Sequence, residues 1–184
     1  DCFQFHEAVK LHVMPLVNEL YEARRKKLGI DTLRPWDIDA EPLGTKPLHP
    51  FNDGNELTDK AIACFDKLMP FFGDCLRKMK AMGHLDLDSR KGKAPGGYNC
   101  PLAESGAPFI FMNAAGQLDD VTTMVHEGGH AIHSFLAHPL ELNGFKEYPM
   151  EIAEVASMSM ELFSMDYWNV FFKTSEELHR AKEQ

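Results

Sequence analysis

Residues 123–135 read TMVHEGGHAIHSF, and within them His126 and His130 stand four positions apart. In an α-helix that spacing puts both side chains on one face, one turn above the other, so two imidazoles reach a single cation. The surrounding pattern supports a helix over 117–137, opened by Asp119 and Asp120 where the helix dipole favours negative charge. Glu127 is rotated by about 100° from His126, which suits a base facing a metal-bound water rather than a ligand. Gly128 and Gly129 each cost about 1 kcal/mol relative to Ala inside a helix, an expense that implies close approach to the backbone there.

A catalytic zinc takes three protein ligands and keeps a fourth position open for water, so one more donor is required. Residues 148–163, YPMEIAEVASMSMELF, carry a second helical pattern, expected to run over about 149–180. Glu154 follows His130 by 24 residues (154 − 130), room for a helix end, a turn and an antiparallel return. Glu151, Ser157 and Glu161 share its helical face; Ser157 and Glu161 are candidates for orienting a ligand by hydrogen bonding, with solvated or packing roles as the alternative. His133 is assigned a supporting or structural place rather than ligation. Cobalt or manganese would fit the same ligands as zinc.

Just upstream, PFIFMN (residues 108–113) is a short apolar run bounded by Pro108 and Gly116, read as a strand at a sheet edge. An extended peptide would pair with its backbone, which makes Phe111 and Asn113 candidate substrate contacts. Tyr98, following two glycines in the irregular stretch 89–108, is a third. The rest is helical in pattern. Apolar residues from Phe5 to Leu28 recur at helical spacing up to Gly29, with a kink expected at Pro15. Residues 56–82 form a second amphipathic stretch, broken near Pro70 or Gly73, and the four prolines of residues 30–54 mark a long loop.

Composition narrows the function classes. The 184 residues are 44% hydrophobic, enough for a core, and carry a formal charge of −9 from 28 acidic and 19 basic residues. That balance argues against nucleic acid or an anionic membrane as partner. Cys2, Cys64, Cys75 and Cys100 form no CxxC pair, which fits a reducing, cytoplasmic setting. No run approaches the roughly 20 apolar residues of a membrane helix. Helical patterns already under way at Asp1 and still running at TSEELHRAKEQ suggest a segment of a larger protein. The organisation expected is one catalytic-core domain over residues 1–184, helical over residues 1–90 and metal-binding over residues 91–184.

Together HEGGHAIHSF, AEVASMSMEL, LRPWDID and the passage from APGGYNCP to FIFMN resemble the zinc oligopeptidases that include oligoendopeptidase F and thimet oligopeptidase. The resemblance covers most of the chain and implies a mainly α, zincin-like catalytic core with a small β element before the metal helix. It implies one zinc held by His126, His130 and Glu154, with Glu127 as the catalytic glutamate, and hydrolysis of short oligopeptides. Thermolysin-like enzymes carry an acid four residues beyond the third ligand, whereas here that position is Met158. The family draws further histidine and tyrosine substrate contacts from sequence beyond the glutamate helix. The chain alone is therefore expected to bind zinc and to turn over peptides weakly or not at all, with the remainder of a parent peptidase as its partner. A competing, non-enzymatic reading is a helical interaction module with a vestigial or structural zinc site, which would have no need of Glu127.

Overall fold

A computed structural model describes residues 1–183 as two compact units, Asp1–Pro47 and Leu48–Gln184. In the first unit, α1 (Cys2–Ala8) and α2 (Met14–Leu28) are joined through a π-helical turn at Val9–Val13. Pro15 sits in the first turn of α2, where its missing N–H costs nothing. The strain expected at this proline is absorbed by the π-turn just before it. Gly29 closes α2 with φ of 68°, its N–H returning to the Arg25 and Lys26 carbonyls. The long loop that follows is tied back by Arg24, whose guanidinium donates to the Ala40 carbonyl at 3.0 Å.

The second unit opens with a helical hairpin, α3 (Gly54–Leu68) and α4 (Pro70–Ala81), interrupted at an extended Met69 because Pro70 cannot continue a helix ladder. Asp53 caps α3 by accepting from Glu56 N–H at 2.8 Å. Three short strands follow: β1 (Leu85–Asp88), β2 (Tyr98–Cys100) and β3 (Phe109–Ala114). Their order is β1-β3-β2, with β3 parallel to β1 and antiparallel to β2. The PFIFMN strand is thus central and not at an edge. Its alternation puts Ile110, Met112 and Ala114 inward, and both of its backbone edges are taken, which removes it as a place for a substrate strand to pair. β1 and β2 own the free edges.

Beyond the sheet come α5 (Leu118–Ala137), α6 (Met150–Ser164), a 3-10 stretch at Met165–Val170 and α7 (Ser175–Lys182). Asp120 accepts from the Ala115 and Gln117 N–H groups, both at 2.8 Å, so the acidic opening of α5 is a true cap. The core joins Leu57, Phe65, Leu76 and Met79 of the hairpin to Ile110 and Met112 of β3 and Val121, Met124 and Val125 of α5. Fully burying side chains of this size contributes about 1.5–3 kcal/mol each, which anchors α5 against sheet and hairpin. No helix among the described residues is long and apolar enough to cross a membrane. All four cysteines are free thiols, and burial pushes Cys64 up to about 12 and Cys75 up to about 11.

Candidate metal and peptide site

Glycine decides how α5 meets its neighbours. A Cβ on Gly128 would stand 2.7 Å from the tip of the Phe65 ring, and one on Gly129 would stand 2.7 Å from Ser157 Cα and 2.8 Å from the Ala156 carbonyl oxygen. The pair therefore lets α3 close on one side of α5 and the backbone of α6 close on the other. Seating α6 at that distance carries Glu154 over the face of α5 that bears both histidines.

There His126 Nε2 lies 3.3 Å from Glu154 Oε2, and His130 Nε2 lies 3.7 Å from Glu154 Oε1. One ligand atom from each of His126, His130 and Glu154 falls within 4.8 Å of the other two. Ligand atoms around a tetrahedral zinc with bonds of about 2.0–2.1 Å stand roughly 3.3–3.4 Å apart, which the His126–Glu154 pair meets and the His130–Glu154 pair exceeds by a few tenths of an ångström. The donor set, two neutral imidazoles and one carboxylate with a face left open, suits a catalytic zinc.

Hydrogen bonds behind the donors fix their aim. Glu161 Oε1 lies 2.6 Å from His126 Nδ1, which places that ring's proton on Nδ1 and leaves the Nε2 lone pair facing Glu154. Ser157 Oγ donates to Glu154 Oε2 at 2.9 Å and contacts the Glu154 main-chain oxygen at 3.0 Å. Burial holds His130 below the usual imidazole range, reinforced by the neighbouring His126 and opposed by Glu154 and a hydrogen bond to the Ala153 backbone. A neutral ring is what ligation requires.

Glu127, next to His126 on α5, is only 7% exposed. Burial pushes its carboxyl above the usual range. Glu154 adds to this, while the neighbouring His126 and the Asn99 backbone pull it back. Asn99 also donates from Nδ2 to the Glu127 main-chain oxygen at 3.3 Å. A residue of β2 thus ties down the Glu127 main chain, and sequence reasoning missed it.

The remaining candidates make contacts of their own. Asn113 donates from Nδ2 to the Ala94 and Gly96 carbonyls at 2.8 and 3.0 Å, so its amide holds the 89–97 loop. Phe111 stacks on Tyr98 with centroids 5.0 Å apart and carries the Lys93 ammonium 4.5 Å from its ring. Tyr98 itself is exposed. His133 stacks on Tyr148 at 3.9 Å, and burial lowers its pKa.

Residues 1–184 match peptidase family M3 over their whole length. The chain belongs to peptidase family M3. Among M3 relatives, the oligoendopeptidase F homolog of Lactococcus lactis subsp. lactis (strain IL1403) is 30% identical over 158 residues, which is 84% of this chain and 25% of that protein. The plasmid oligoendopeptidase F of Lactococcus lactis subsp. cremoris is 31% identical over 160 residues, with 84% and 25% covered. The structure of PZ peptidase A with an inhibitor superimposes with a TM-score of 0.89 at 31% identity, over 97% of this chain and 31% of that one. This M3 chain thus spans about a quarter of the length of the curated relatives it matches. The mainly helical fold with a small sheet before the HExxH helix is that of its structural relatives.

Proposed function

We propose that the chain is the metal-binding core of a peptidase that hydrolyses short peptides, with His126, His130 and Glu154 holding one zinc ion and Glu127 acting as general base. The observation that carries this is the convergence of Glu154 on both imidazoles at 3.3 and 3.7 Å, with the buried Glu127 beside them. A zinc ion bound there would supply Lewis acidity to a water molecule and to a peptide carbonyl. Glu127 takes the proton of the attacking water and delivers it to the departing amine, a role its raised pKa supports. Asn99 keeps that carboxylate oriented. The free edge of β2 receives the substrate main chain, supported by the pairing of β3 on both of its edges.

The presence of Glu127 in this position favours a working enzyme over a vestigial site. Short peptides are the proposed substrates. Further chain of the same protein is the proposed partner, since the relatives are about four times as long. Ile152, Val155, Met158 and Leu162 form an exposed apolar stripe on α6 that such a partner would cover. Hydrolysis by these residues alone is accordingly proposed to be slow. The test is Glu127→Gln, assayed by metal analysis and by single-turnover cleavage with protein in excess. One zinc per chain should be retained while cleavage falls at least a hundredfold. Undiminished cleavage would remove Glu127 from the chemistry.

A further inference from the structure

Past Asn99 the chain leaves β2 through Pro101, Leu102 and Ala103, and there it faces the last turns of α5 across a cavity of about 150 Å³. From Asn99 to Leu102, extended chain covers about 10 Å at roughly 3.3 Å per residue. From Glu127 to Ser134, helix covers about 10.5 Å at 1.5 Å per residue. The two elements touch where Asn99 Nδ2 meets the Glu127 carbonyl, and both line the cavity. They therefore run side by side from the proposed base to the cavity mouth, about three residues of extended peptide away.

The cavity lining is mostly apolar, with Ser134, His138, Asn143, Lys146 and Tyr148 as its polar members. Leu102, Ala103, Pro108 and Ala137 make its walls apolar, and Tyr148, held by its stack on His133, closes one side. An engineered apolar cavity of about this volume accommodates benzene, which sets the upper size. Ser134 Oγ, on the lining, is buried and has no hydrogen-bond partner.

We propose that this cavity receives an apolar side chain, no larger than leucine or one aromatic ring, from an extended peptide lying along the β2 edge, two or three residues from the scissile bond. The proposal rests on the peptidase reading above and adds a source of sequence preference to it. Loss of the guest's apolar contact is expected to weaken binding roughly ten- to a hundredfold, the range for a small aliphatic group in a fitted pocket.

The experiment titrates the chain, with and without zinc, with blocked pentapeptides identical except for leucine or glycine at one position, and reads alanine methyl resonances by NMR. The leucine peptide should shift the Ala103, Ala107 and Ala137 methyls and bind roughly ten- to a hundredfold tighter than the glycine peptide. Ala103→Trp, on the exposed rim, should bring that ratio to within about twofold. Leu102→Ala, which enlarges the space, should move the preference from leucine toward larger rings. Equal methyl shifts with both peptides, or a ratio untouched by both substitutions, would overturn the proposal. Because binding is read without turnover, a chain that fails to bind zinc sinks the peptidase reading and leaves the cavity's result legible. Cleavage of both peptides with equal efficiency and no methyl shift sinks the cavity alone.

Discussion

Replacing Gly129 by alanine tests how the site is assembled. The added methyl would stand 2.7 Å from Ser157 Cα, against about 3.5 Å for an unstrained carbon contact. The atoms in its way are α6 backbone, which no rotamer change can move, so α6 must retreat by about 0.8 Å. Ser157 lies one turn from Glu154 and hydrogen-bonds its carboxylate, so the ligand retreats too. Added in full, that displacement opens the 3.3 Å separation from His126 to about 4.1 Å, beyond the roughly 3.3–3.4 Å a tetrahedral ion requires. Overpacking costs about 1–3 kcal/mol, offset by about 1 kcal/mol of helix propensity, leaving a net loss of up to about 2 kcal/mol. Zinc affinity, read by competition with a chromogenic chelator, should fall about ten- to a hundredfold. Gly128→Ala is the control, because its methyl meets the Phe65 ring on the far side from α6 and should lower stability with zinc affinity kept. If Gly129→Ala binds zinc as tightly as the parent, close contact of the two helices is not what places Glu154.

Two other outcomes follow from the same geometry. Glu161→Ala frees His126 Nδ1 and should weaken zinc about ten- to a hundredfold in the same competition, with Glu161→Gln recovering some of the loss because its amide oxygen still accepts. Asp86 is held at about 2, chiefly by hydrogen bonds from Arg90 and further by Lys93. A depressed carboxylate contributes stability above its unfolded pKa of about 3.9 and loses it as pH falls toward 2. Melting temperature against pH should therefore drop more steeply over that window in the parent than in Asp86→Asn. Glu56, held at about 2 by Lys60 and Asn52, keeps the variant's curve from becoming flat. Parallel curves would refute the assignment.

What is legible in the sequence is what depends on local geometry. The four-residue spacing of His126 and His130 states its own consequence in a helix, and the cost of two central glycines announces a close neighbour without naming it. The break at Pro70 and the acidic cap of α5 are likewise local. Strand order is not. PFIFMN advertises a strand, but its central place depends on LDLD at 85–88 and YNC at 98–100, segments of four and three residues with too little pattern to stand out. Phe111 and Asn113 look free to face a substrate in the sequence because the loop that engages them, 89–97, has no periodicity to betray its path. The Asn99 contact with Glu127 joins positions 28 apart on different elements, and no spacing rule connects them.

The tether between Asn99 and Glu127 has a mechanical side. A three-residue strand bonded along one edge is a slender support, and the proposed base takes its steadiness from that support. A peptide that completes the outer edge of β2 would brace it and damp the wandering of the carboxylate at the moment of engagement, so that the proton acceptor is stiffest when its guest is in place.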